Sequence, residues 1–110
     1  MNDLTEKKCQ PCEGDVAPMD AEMARVLLTQ VPGWQISDDG KALKREFRFK
    51  GFYRTMAFVN ALAWVANQEN HHPDFSVGYN YCHVLFTTHA AGGLTENDFI
   101  CAAKVNALLE

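Results

Sequence analysis

Three consecutive stretches decide the fold: FYRTMAFVNALAWVANQEN (residues 52–70), HHPDFSV (71–77) and GYNYCHVLFTTHAAGG (78–93). The first has a helical period. Met56, Val59, Ala63 and Ala66 recur at spacings of three and four, beside a second row of Phe58, Leu62 and Val65. Pro73 disfavours helical geometry at His72, so this helix stops just before it. Phe75 to Val77 is short and extended, and Tyr79 to His89 is a β-type run that Ala91-Gly92-Gly93 breaks. A broad-faced helix followed by paired strands calls for helices packed on a sheet.

Working outward supplies the remaining elements. Upstream, Leu43, Phe47 and Phe49 alternate with Lys44, Glu46 and Arg48, and a shorter alternation covers Trp34 to Ser37. Asp38-Asp39-Gly40 lies between them as a turn, which predicts a hairpin with one wet face. Asp20 is placed to cap a helix through Gln30, with Met23, Val26, Leu27 and Leu28 inward, and Pro32-Gly33 ends it. Downstream, Thr95 opens a last helix through Leu109, with Asp98 at the capping-box position. The order is helix, two strands, helix, two strands, helix. It predicts an α+β fold of two layers, an antiparallel sheet with helices on one face. Cys82, Val84 and Phe86 point inward and Leu85 outward, so self-association through the sheet is expected. Residues 1–18 are polar and interrupted by Pro11, Gly14 and Pro18; they read as a flexible tail before a single domain over 19–110.

Composition excludes several classes. The 110 residues are 47% apolar and 22% charged, which suffices for one core. Ten basic against fourteen acidic residues give a net charge of −4, with no basic cluster beyond Lys7-Lys8 and Lys44-Arg45. Direct nucleic-acid binding is not expected. No apolar run approaches the roughly 20 residues that span a bilayer. Residues 1–8 hold no apolar stretch of a secretory signal, so a cytoplasmic location with reduced thiols is expected.

Chemistry concentrates in one window. All four histidines, His71, His72, His83 and His89, fall between residues 71 and 89. Imidazole is the side chain suited to proton transfer near neutral pH. His71 is expected in the last helical turn, where the helix dipole favours its charged form, and His72 in the following loop. Two imidazoles in different surroundings are what acid and base roles require. His83 and His89, six residues apart on one strand, share a face but stand about 20 Å apart. They cannot serve one site; His83 reads as structural and His89, beside Gly92-Gly93, as functional. Asp98 caps a helix and can also orient an imidazole. Cys9-x-x-Cys12 has zinc-ligand spacing, yet Cys82 and Cys101 do not repeat it, and no metal site is expected. No serine elbow and no phosphate-binding loop is present.

Asn70-His71-His72-Pro73-Asp74, Tyr79-Asn80, Thr87-Thr88-His89, Gly93-Leu94 and Asp98-Phe99, in this order and spacing, resemble the pterin-4a-carbinolamine dehydratase family. Cys9-x-x-Cys12, Pro32-Gly33-Trp34 and the central helix are also similar to bacterial members, so the resemblance spans nearly the whole chain. It implies a four-stranded antiparallel sheet with three helices on one face, and dimers or tetramers. The implied activity is dehydration of 4a-hydroxytetrahydrobiopterin to quinonoid dihydropterin in tetrahydrobiopterin recycling, downstream of an aromatic amino-acid hydroxylase. No metal or organic cofactor is implied, the pterin being the substrate. Carried over by position, His71 and His89 are the acid–base pair, His72 binds substrate, and Asp98 holds an imidazole. Asn70, Pro73, Thr87, Thr88 and Ala90 line the pterin. Two positions depart from the family pattern: Asn67 stands where many relatives have Glu, the nearest acid being Glu69, and Ala90 replaces a polar residue. These departures motivate an alternative reading as a non-catalytic pterin-binding or oligomeric interaction protein.

Overall fold

A computed structural model describes residues 3–11 and 17–109. Helix α1 spans Ala21–Leu28, α2 Phe52–Glu69 and α3 Glu96–Ala107; strands are β1 (Gln35–Ile36), β2 (Leu43–Arg48), β3 (Asp74–Val77) and β4 (Tyr81–Phe86). The four strands form one antiparallel sheet in the order β1-β2-β4-β3. The predicted α+β class, with a four-stranded antiparallel sheet and three helices, is what the chain adopts.

Register explains the two layers. Leu43 sits opposite Phe86, Arg45 opposite Val84 and Phe47 opposite Cys82. The apolar members of these pairs are buried together with Phe58, Leu62 and Val65 of α2 and Phe99, Ile100 and Val105 of α3. On the opposite face Lys44, Glu46 and Arg48 meet Leu85, His83 and Tyr81, and are more exposed. Alternation along each strand thus sets which face the helices cover. In α2 the second apolar row forms the core; in the first, Ala63 is exposed and Met56 and Val59 half-buried, whereas Ala66 is buried.

Three expectations shift. In α1, capped as predicted by Asp20 accepting from the Met23 N–H at 2.8 Å, Ala24, Leu27 and Leu28 face the core. Met23 and Val26 are half exposed. Ala24, Leu27, Leu28 and buried Val31 form the complete i, i+3, i+4, i+7 stripe, which overlaps the one read from sequence. Second, β4 ends at Phe86 rather than His89. Thr88 makes only an isolated bridge with Gly93, and His89–Ala91 turn into a short 3-10 helix.

Third, residues 3–11, read as part of a tail, dock on the domain. Asp3–Glu6 form a 3-10 turn packed along α3, and Leu4, 2% exposed, enters the main core. One buried leucine in a polar stretch has no period to announce it. Cys12 lies outside the described residues. No helix among the described residues is long and apolar enough to cross a membrane.

Candidate active site

The end of α2 sets the position of His71. Asn70 adopts the left-handed conformation (φ 50°, ψ 41°) and caps the helix. Asparagine tolerates this geometry better than most residues. The turn brings the His71 N–H back onto the Ala66 carbonyl at 3.2 Å. His71 therefore stands one residue beyond the C-cap, not in the last helical turn as the sequence led us to expect.

Its imidazole is held from two directions. Nε2 lies 2.6 Å from Asp98 Oδ1, and the ring stacks on buried Phe86 at 5.9 Å between centroids and 10° between planes. Asp98 is wholly buried and is fixed in turn. Its Oδ2 accepts from the Thr88 hydroxyl at 2.8 Å and from the Thr95 N–H at 3.0 Å. The second bond is half of the capping box that opens α3. Helix capping and imidazole orientation thus fall on the same carboxylate, both predicted for it. With Asp98 Oδ1 as acceptor, Nε2 carries the proton, and Nδ1 is the nitrogen left to exchange a proton.

Around this pair opens a cleft of about 440 Å³, within the range of small-molecule sites. Asn70, His71 and His72 line one part, and Thr87, Thr88, His89 and Ala90 another. The structure therefore brings together three of the four histidines. The fourth, His83, lies on the outer sheet face, half exposed and 3.9 Å from Glu46. Pro73 is not among the lining residues, and Asp98 acts from behind His71. The Thr87 hydroxyl donates to the Lys41 carbonyl and that of Thr88 bonds Thr95 and Asp98, so both serve the scaffold.

A larger hollow of about 680 Å³ on the outer sheet face includes Lys44, Glu46, Ser76, His83 and Leu85 in its lining. It contains one histidine beside the exposed carboxylates Glu46 and Asp74, and no buried carboxylate fixes that ring as Asp98 fixes His71.

A sequence model of the family described as pterin 4 alpha carbinolamine dehydratase matches residues 17–108. The chain belongs to the pterin-4a-carbinolamine dehydratase family. It is 58% identical over 109 residues to a Legionella pneumophila (strain Lens) protein named "Putative pterin-4-alpha-carbinolamine dehydratase", covering 98% of this chain and 96% of that one. A Nitrosomonas eutropha protein of the same name is 60% identical over 108 residues, covering 97% and 94%. Among solved structures, a transcriptional coactivator/pterin dehydratase from Brucella melitensis superposes with a TM-score of 0.81 at 32% identity, covering 84% of this chain and 99% of that one. A pterin dehydratase-like protein described as a RuBisCO assembly factor superposes at 0.61 and 26% identity, covering 69% and 88%.

The cleft has further lining residues that sequence reading missed: Cys9, Gln10 and Pro11 from the N-terminal segment, with Glu69 and Asn97. Glu69 is buried, and burial works against its charge. The Cys9 N–H at 2.9 Å and the Lys104 ammonium at 2.9 Å outweigh it and hold the carboxyl below its usual value. Cys9 Sγ lies 3.5 Å from Cys101 Sγ; that hydrogen bond, together with burial, pushes the Cys101 thiol strongly upward. The prior signals were Cys9 in its C-x-x-C spacing and Glu69 as the acid nearest to Asn67, since the contacts themselves join residues 60 to 92 positions apart.

Proposed function

We propose that this protein catalyses loss of water from a 4a-hydroxytetrahydropterin, giving the quinonoid dihydropterin for tetrahydropterin recycling. The carrying observation is the buried His71–Asp98 pair opening on a cleft shared with His72 and His89. In the reaction the C4a–O bond breaks and the hydroxyl leaves as water after taking one proton. N5 gives up its proton, and the electron pair released forms the C4a=N5 double bond. Both protein-borne steps are proton transfers, so no redox partner or cofactor enters the balance.

The two imidazoles have unlike settings suited to the two steps. His71, oriented through Nε2 by the Asp98 carboxylate, takes the N5 proton on Nδ1. His89, exposed on its short 3-10 helix, supplies the proton to the hydroxyl and recovers it from solvent. His72, exposed in the cleft wall, binds the pterin ring. General acid–base catalysis contributes roughly 10²–10⁴-fold per group, enough to accelerate a dehydration that proceeds slowly unaided. Stopped-flow absorbance of freshly generated 4a-carbinolamine tests the reading. Acceleration at micromolar protein is expected; its absence, with pterin still bound, would favour the non-catalytic alternative.

Self-association belongs to the same reading. Tyr53 and Trp64 of α2 are 87% and 64% exposed, and β3 is an edge strand with Phe75 and Val77 exposed. Such apolar surface is commonly covered by a partner. Sedimentation velocity distinguishes the expected dimer or tetramer from a monomer.

A further inference from the structure

The N-terminal segment has two halves with different surroundings. Leu4 fills the core, a structural role. Cys9, half-buried against the edge of the core, and the exposed Gln10 and Pro11 form part of the cleft wall. Two buried polar side chains are bonded to this second half. Asn97, 7% exposed, accepts from the Gln10 N–H at 3.0 Å and donates to the Gln10 carbonyl at 2.7 Å. It thereby engages one backbone unit on both sides, as a neighbouring strand would. Glu69, equally buried, accepts from the Cys9 N–H and ties the same segment through Lys104 to α3. Buried polar groups are costly unless bonded. Here they are bonded to a segment that would otherwise leave the cleft open on one side.

We propose that Cys9–Pro11 is a built wall of the pterin site, and that Asn97 and Glu69 are positioning residues that determine how tightly the pterin is held. The proposal rests on the dehydratase reading of the same cleft. If only molecules with the segment in place bind fully, apparent affinity scales with the fraction so placed. Loosening the segment therefore weakens binding and raises KM more than it lowers kcat, because the bonds lost run to the Cys9 and Gln10 backbone.

The test uses the full chain with 7,8-dihydrobiopterin, a stable pterin without the 4a-hydroxyl, as the probe. Asn97→Ala removes both bonds to Gln10. Gln10→Pro removes one of them from the exposed side, where the fold is not at stake. Trypsin cleavage after Lys7 or Lys8 reports release of the segment, and calorimetry reports pterin affinity. Each variant is expected to be cut faster and to bind at least about tenfold more weakly, tenfold being the scale of one lost buried hydrogen bond. Saturating pterin is expected to slow cleavage of the unmodified protein. Faster cleavage with unchanged affinity would overturn the wall role while leaving the dehydratase reading intact. Unchanged cleavage and unchanged affinity would overturn the positioning role of Asn97. Failure of the unmodified protein to bind pterin would overturn both readings.

Discussion

His71 Nε2 and Asp98 Oδ1 are 2.6 Å apart although 27 positions separate them in sequence. One comes from the turn that ends α2 and the other from the first turn of α3. The pair joins a surface cleft to the buried interior, because Asp98 also receives the Thr88 hydroxyl and the Thr95 N–H. A carboxylate with three donors around it fixes its partner's tautomer. Proton exchange is thereby left to the other ring nitrogen of His71.

Asp98→Asn tests that arrangement. An amide offers one acceptor and one donor, so its NH₂ would face either His71 or the Thr88–Thr95 side, where donors already point. We expect kcat to fall by about 10²-fold or more, as for loss of a general base in its working form. Stability is expected to fall by about 1–3 kcal/mol from the buried mismatch. Stopped-flow rates and urea unfolding of the same preparation measure the two effects separately.

The histidines themselves should divide three against one. His71→Ala and His89→Ala are each expected to cut dehydration about 10²-fold or more, and His72→Ala to act chiefly on KM. His83→Ala, on the far side of the sheet, should change little. Equal losses at His71, His83 and His89 would sink the role assignment, and an active His71/His89 double variant would sink the acid–base chemistry.

Part of this arrangement was legible from local rules, although the strand read as carrying both His83 and His89 on one face ends at Phe86. Pro73 sets where α2 must stop, the alternation of β4 separates His83 from the core face, and Thr95 with Asp98 announces a helix start. What local rules could not show depends on distant partners. Leu4 has no periodic neighbours, so a buried leucine looked like tail. Glu69 stood out only as the acid nearest to Asn67 and Asn97 not at all, and only folding brings the Cys9 and Gln10 backbone to them. In α1 the inward set read from sequence, Met23, Val26, Leu27 and Leu28, gives way to the overlapping stripe that contains Ala24.

Leu4→Ala checks whether the N-terminal segment is part of the folded unit. A leucine only 2% exposed leaves a cavity when truncated, which costs about 2–5 kcal/mol. The urea midpoint should drop accordingly. A free tail would give no change.

Glu69 makes stability depend on pH in a defined direction. Its folded carboxyl titrates below the ordinary value of 4.5 because Cys9 and Lys104 together outweigh the effect of burial. The protonated unfolded chain is therefore favoured as pH falls. The contribution is fully present above 4.5 and is lost as pH drops through the folded value. Glu69→Gln, which keeps an acceptor for Cys9 but no charge for Lys104, should unfold at lower urea than the unmodified protein at pH 7. That gap should close below pH 4.5. A gap that stays constant as pH falls from 7 through the acid range would assign the effect to packing instead.

Thr88 offers the sharpest separation between lining a site and supporting it. Its residue lines the cleft, yet its hydroxyl is turned to Asp98 Oδ2 and Thr95 Oγ1, each at 2.8 Å. Thr88→Val keeps the shape and removes the hydroxyl, leaving buried Asp98 without one of its donors. The expected cost is about 1–3 kcal/mol in stability. Because the loss reaches the chemistry through Asp98 and His71, kcat should fall while pterin affinity changes little. Thr88→Ser, which restores the donor without the methyl group, should recover most of the lost rate. If Thr88→Val instead weakened pterin binding at constant kcat, the hydroxyl would belong to the ligand, and the route from Thr88 through Asp98 to His71 would have no part in turnover.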